Sequence, residues 1–142
     1  MTRADIISAC KEILSYEHLK PRNGKTYCNF GIDAICRKLD IKSFWNEKAN
    51  RLMLANEMFA ALIKSDKWEE VNFSDTIYSQ GLYILATRGK VHGHIAVVFP
   101  AGTSVSWKWR CHCPMVLNIG KENDIMGANY AFKNKPRAFK YG

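Results

Sequence analysis

The periodicity of the apolar residues changes at Gly81, and this change constrains the fold more than any other feature of the sequence. Before Gly81, apolar residues recur at helical spacing. After it, short continuous apolar runs occur at residues 82–87 and 95–99, and Arg88, Gly89 and Lys90 begin the link between them. Two such runs joined by a short link containing glycine predict a β-hairpin. Helices followed by an antiparallel sheet are typical of an α+β protein.

Length and composition favour one globular domain over residues 1–142. The chain has 142 residues, of which 47% are hydrophobic and 12% aromatic, enough to bury a core. No apolar run approaches the roughly 20 residues that a membrane helix needs, so no membrane span is expected. Charged residues at Asp5, Lys11 and Glu12 interrupt the N-terminus, unlike a secretory signal. We therefore expect synthesis in the cytoplasm, and delivery by another route if the protein acts elsewhere.

The formal net charge is +8, from 21 Lys and Arg against 13 Asp and Glu. A positive surface favours anionic partners such as nucleic acid or a bacterial wall polymer. The basic residues are scattered, however, apart from a local group in the C-terminal tail. This distribution indicates a solvated basic surface and does not favour a specific nucleic-acid face.

Further elements follow from the spacing of apolar residues and from turn residues. We predict helices at residues 2–16 and 49–63, the first opened by Thr2 and Asp5. We predict a loop at residues 40–48, whose Phe44 and Trp45 line a cleft. A strand or an irregular segment is indicated by the apolar residues Trp68, Val71 and Phe73. The strand at 95–99 is expected to end at Pro100-Ala101-Gly102, and a further strand at 115–119 to end at Gly120.

Cys28 opens a predicted helix that follows the turn at Asn23-Gly24. Thr26 is the expected cap of this helix, with Tyr27 as an alternative first residue. Ile32, Cys36 and other apolar residues repeat after Cys28 at helical spacing and form an inward stripe. Unpaired N–H groups and the helix dipole at this position favour a thiolate, the nucleophilic form of cysteine. Alternatively, Cys28 is a small core residue.

The chain has five cysteines, so at least one thiol is free or pairs with another molecule. Cys111 and Cys113 flank His112, but the second ligand pair typical of structural zinc is absent, and no metal or other cofactor is expected. A disulfide from Cys10 to Cys111 or Cys113 is an open alternative for a protein that matures in an oxidising compartment.

A thiolate nucleophile needs a nearby base, and a histidine is the usual choice. His92 and His94 are two residues apart at the entry to the 95–99 strand, so we expect them to point to one face of the sheet. His94 follows Gly93, where the backbone lets another group approach closely. We therefore favour His94 as the base. The alternative is that His94 is a surface histidine at a strand end without a catalytic role.

Three sequence stretches together resemble a known family. They are Tyr27-Cys28-Asn29-Phe30 at a helix start, Gly81-Leu82-Tyr83-Ile84-Leu85-Ala86, and Gly93-His94-Ile95-Ala96-Val97-Val98. Their order resembles that of the NlpC-like and CHAP-like papain-fold peptidoglycan hydrolases, especially the amidase effectors of type VI secretion and related phage lysis enzymes. The resemblance extends over nearly the whole chain.

The resemblance implies a papain-like fold and a cysteine amidase that hydrolyses the stem peptide of bacterial peptidoglycan. It makes Cys28 the nucleophile and His94 the base. Asn118 is the third residue that orients the imidazole, and Cys113 is the alternative. The same resemblance places Tyr27, Asn29 and Trp45 at the substrate. An enzyme of this kind acts on the wall in the periplasm or in a target cell, and an immunity protein is a partner compatible with it.

Two other functions remain open at this point. A cysteine acyltransferase or deamidase would use the same catalytic residues on another substrate. A basic module that binds wall polymer or nucleic acid would need no reactive thiol, and Cys28 would then belong to the core.

Overall fold

The computed structural model describes residues 1–142 and has an α+β architecture. Its helices are α1 (Arg3–Leu14), α2 (Cys28–Lys38), α3 (Ala55–Lys64) and the short α4 (Ala128–Ala131), with a single 3₁₀ turn at Glu17–Leu19. Its strands are β1 (Trp45–Asn46), β2 (Arg51–Leu52), β3 (Trp68–Val71), β4 (Tyr83–Thr87), β5 (His94–Ser106), β6 (Cys111–Asn118), β7 (Asp124–Gly127) and β8 (Arg137–Tyr141).

Six strands form one antiparallel sheet in the order β3-β8-β4-β5-β6-β7. The predicted hairpin is confirmed, because β4 pairs with β5 and Leu85 lies opposite Ala96. The C-terminal strand β8 lies between β3 and β4, so the end of the chain occupies an interior position of the sheet. The remaining strands, β1 and β2, form a separate two-stranded hairpin.

The side chains of the sheet divide into two buried clusters because successive residues of a strand point to opposite faces. On one face the sheet packs against α1, α2 and α3, with Ile95 and Val97 contributed by β5. On the other face Ala96 and Val98 pack in a smaller cluster under Phe73, Tyr78 and Phe132. The core of the protein is therefore larger on the side of the three long helices.

Helix α1 begins as the sequence predicts. The hydroxyl of Thr2 accepts the backbone N–H of Asp5, and the Asp5 carboxylate accepts the N–H of Thr2. The expected cap of α2 is wrong, because Tyr27 rather than Thr26 precedes the first helical residue and no side chain caps this end. The first N–H groups of α2 therefore have no partner within the helix.

Three other predicted boundaries are also wrong. The helix predicted from Ala49 begins at Ala55, and the predicted loop at 40–48 contains β1, since the segment before α3 forms the β1-β2 hairpin. Strand β5 does not end at Pro100. It continues to Ser106 because its register against β6 shifts between Phe99 and Thr103, which accommodates the proline and Gly102.

None of the helices combines the length and the apolar character needed to span a bilayer.

Candidate functional site

His94 is the first residue of β5, and its imidazole has a well-defined partner. Its Nε2 lies 2.6 Å from Oδ1 of Asn118, the last residue of the adjacent strand β6. The ring also packs on Phe132, with 4.9 Å between ring centroids. The structure therefore brings together the predicted base and the predicted third residue.

The amide of Asn118 fixes which nitrogen of His94 carries the proton. Asn118 Nδ2 donates to the carbonyl of Glu122 at 2.7 Å, so its Oδ1 must face the imidazole. An oxygen acceptor at Nε2 requires a proton there, and the lone pair of a neutral His94 is then on Nδ1. This arrangement leaves Nδ1 as the basic nitrogen.

Cys28 reaches the same region from the helical face of the sheet. It is the first residue of α2, which packs on β5, and its side chain is half-buried. Its sulfur lies near the backbone N–H of Ile95, the residue that follows His94. The sulfur therefore lies at the start of β5, where His94 is the residue before Ile95.

Burial raises the pKa of the Cys28 thiol, while the N–H groups of Ile95, Asn29 and Cys28 itself act in the opposite direction. The N–H groups favour the thiolate as the sequence predicts, but burial outweighs them, so the expected low pKa is wrong for the resting protein. Burial also lowers the pKa of His94, against the opposing effect of the Asn118 bond. A neutral thiol and a neutral imidazole are the resting states that follow.

The alternative third residue, Cys113, lies far from this site. It pairs with Ser104 in the middle of the β5-β6 hairpin, where it is buried with its sulfur 3.9 Å from that of Cys111. All five cysteines are free. The disulfide considered for Cys10 is wrong in this structure, since Cys10 belongs to the cluster under the helices and Cys113 to the cluster on the opposite face.

The other histidines have no comparable environment. His92 is exposed in the loop before β5, so the expectation that it shares a sheet face with His94 is wrong. His18 stacks on Tyr16 in the 3₁₀ turn, and His112 is exposed on β6.

The three residues predicted to bind substrate differ in how available they are. Asn29 uses its side-chain amide to donate to the carbonyl of Met53, which links α2 to the segment before α3. Tyr27 is half-buried under the guanidinium of Arg22, and the indole of Trp45 is 43% exposed. Phe44, expected to line a cleft, is instead buried against Trp68. Their roles at a substrate stay predictions.

The crevice between α2 and the sheet is too narrow for a water molecule; its lining includes Cys28, Gly31, Ile95 and Ile119. A substrate must therefore approach the sulfur from outside, at the tip of α2. A second pocket, of about 420 Å³, lies between α1 and the opposite end of α2, and neither a cysteine nor a histidine lines it.

Sequence reasoning assigned no role to Phe132 or to the turn at 119–123, although both contact the His94–Asn118 pair or its partners. Asn123 lies shortly after the strand predicted at 115–119, and an asparagine at such a position is typical of a turn that its side chain stabilises. Nothing in the sequence predicts that Phe132 packs on His94.

The chain matches no protein-family model and no curated protein sequence.

Proposed function

We propose that the protein is a cysteine amidase with a papain-like arrangement of Cys28, His94 and Asn118, and that its substrate is the stem peptide of bacterial peptidoglycan. The observation that carries the proposal is the 2.6 Å bond from His94 Nε2 to Asn118 Oδ1, one residue before the Ile95 N–H that lies near the Cys28 sulfur. A base oriented by a third group next to a thiol is the arrangement that nucleophilic catalysis requires.

In the proposed reaction, the Cys28 sulfur attacks the amide carbonyl as its proton passes to His94 Nδ1. The resulting imidazolium keeps its Nε2–H bond to Asn118, whose carbonyl oxygen stabilises the positive charge. His94 then protonates the leaving amine, which gives a thioester on Cys28. Water hydrolyses that thioester with His94 again as the base.

The oxyanion of the tetrahedral intermediate requires hydrogen-bond donors that are already in place. The first N–H groups of α2 meet this requirement, because neither the helix nor a side-chain cap uses them. The N–H of Cys28 is the donor closest along the chain to the reacting sulfur.

The choice of peptidoglycan rests on the sequence resemblance and on the net charge of +8, which suits an anionic polymer. A deamidase or acyltransferase would use the same three residues, and only the products distinguish these activities.

Digestion of purified sacculi, followed by mass spectrometry of the fragments, tests the proposal. We expect new amino groups from the wild-type protein and none from Cys28→Ala, while Cys111→Ala serves as the matched control and stays active. Intact sacculi after incubation with folded wild-type protein would overturn the assignment of substrate.

A further inference from the structure

The side-chain amide of Asn118 is buried and has a partner for each of its polar atoms. Its Oδ1 lies 2.6 Å from His94 Nε2, and its Nδ2 donates to the Glu122 carbonyl at 2.7 Å. Turning the amide over would place its NH2 against the Nε2–H of His94 and its oxygen against a carbonyl oxygen. The Glu122 carbonyl therefore decides the orientation of Asn118 and, through it, the tautomer of His94.

The position of that carbonyl depends on the turn between β6 and β7. Glu122 itself is exposed, and its side chain makes no bond that would hold the turn. The neighbouring residue, Asn123, does so with both of its side-chain atoms. Its Oδ1 accepts the N–H of Gly120 at 2.9 Å, and its Nδ2 donates to the Leu19 carbonyl at 2.8 Å.

Leu19 ends the 3₁₀ turn and lies in the buried cluster under the helices. The bond from Asn123 to its carbonyl therefore links the β6-β7 turn to a buried part of the molecule 104 residues away along the chain. Gly120, the other partner, lies close to the site. A Cβ on it would come 3.4 Å from both Asn118 Nδ2 and His94 Cε1.

We propose that Asn123 is a positioning residue that sets the orientation of the Asn118 amide, and hence the proton-bearing nitrogen of His94, by holding the Gly120–Glu122 turn. The side chain of Asn123 makes no hydrogen bond to the imidazole or the thiol. The proposal rests on the proposed function only for its effect on catalysis, because the tautomer of His94 is measurable in a protein without activity.

Nitrogen-15 NMR of the His94 imidazole, recorded over a pH titration, tests the proposal in the full-length protein. In the wild type, the neutral ring should carry its proton on Nε2 alone. In Asn123→Ala, we expect a mixture of the two neutral tautomers and a further fall in the pKa of His94, because the Asn118 bond that raises this pKa is weakened. The kcat on sacculi should fall roughly ten- to hundredfold with little change in KM.

Asn72→Ala is the matched control, since Asn72 also holds a turn by accepting the N–H groups of Ser74 and Asp75. It should leave the tautomer of His94 unchanged. If Asn123→Ala does not fold, Asn123→Asp replaces it, because aspartate still accepts the Gly120 N–H but cannot donate to Leu19. An unchanged tautomer and pKa in the folded Asn123 variant would overturn the proposal. If Asn123→Ala shows the NMR effect but the wild-type protein releases no amines from sacculi, the proposed function alone would be overturned.

Discussion

At the scale of residues, the account depends on the proton states of Cys28 and His94. Burial raises the pKa of the thiol and lowers that of the imidazole, so both are neutral at rest. In the proposed mechanism the ion pair forms only as the thiol reacts, with the Asn118 oxygen in place to accept the imidazolium Nε2–H. The helix start assists the thiolate, but less than burial opposes it.

The pH profile of kcat/KM tests the direction of the His94 shift. A protonated His94 cannot accept the thiol proton, so the rate falls as pH decreases through its pKa. Since this pKa is lowered from 6.5, we expect activity to persist below pH 6.5 before the acid limb appears. An acid limb well above pH 6.5 would show that the imidazole is stabilised in its charged form instead.

The Asn118 assignment predicts the effect of removing its amide. Asn118→Ala removes the acceptor at Nε2 and leaves the Glu122 carbonyl without its donor. We expect kcat to fall by about two orders of magnitude and stability to fall by about 1–3 kcal/mol. Steady-state assays and urea denaturation measure the two effects. Cys113→Ala, at the alternative position, should leave the kcat near that of the wild type.

At the scale of elements, the tip of α2 is held by its close approach to the end of β6. A Cβ built on Gly31 would lie 2.8 Å from Cγ1 of Ile119, a distance that requires one of the two elements to move. The glycine in α2 is therefore needed for packing, although alanine is the better helix former by up to about 1 kcal/mol.

Gly31→Ala should lower both the melting temperature and the kcat, because it pushes Cys28 away from β5. Ile119→Ala removes the atom that the new methyl group meets, so the double variant should lose less stability than the sum of the two single variants. Chemical denaturation of the four proteins measures the coupling. Strictly additive losses would mean that the close approach does not hold the helix.

A helix or strand could be predicted from the sequence where the residues that define it are close together in the chain. The β4-β5 hairpin and the Cys28 helix were predicted, because their apolar residues and turn residues belong to the same short segments. The start of α3 was not, since Leu52 and Met53 fit its helical stripe while lying in or beside β2. Likewise, Pro100 marks a strand end in sequence, but a register shift in β5 absorbs it.

For the candidate site, the sequence predicted residues that the structure brings together as the His94–Asn118 pair, but not the residues that support this pair. The sequence pattern placed Cys28 at a helix start and His94 and Asn118 at strand ends. The resemblance to a family then suggested a role for each of the three residues. The bond from Asn123 to Leu19 joins residues 104 positions apart, and the burial that raises the pKa of Cys28 depends on packing of α2 on the sheet. Neither the Asn123–Leu19 bond nor the burial of Cys28 can be recognised from a short stretch of a single sequence.

At the scale of the whole molecule, the sheet depends on its C-terminal strand. β8 lies between β3 and β4, and Phe139 is fully buried in the cluster under the helices. The basic C-terminal tail is thus partly structural. Arg137, at the start of β8, also donates to the Glu70 carboxylate on the neighbouring strand.

Phe139→Ala should cost about 3–5 kcal/mol of unfolding free energy, a large fraction of the total for a domain of this size. The exposed neighbour Lys140 provides the control, and Lys140→Ala should change stability by less than about 0.5 kcal/mol. Guanidinium denaturation distinguishes the two. Equal effects would argue against an interior position for β8.

The central claim is that His94 acts on the thiol of Cys28, and the pH dependence of iodoacetamide alkylation at Cys28 tests it most directly. In the wild type, the alkylation rate should rise with the titration of His94, below pH 6.5, because the neutral imidazole removes the thiol proton. In His94→Ala, the rate should rise only above the ordinary thiol value of 9.0, as burial dictates. Identical profiles for the two proteins would contradict the account.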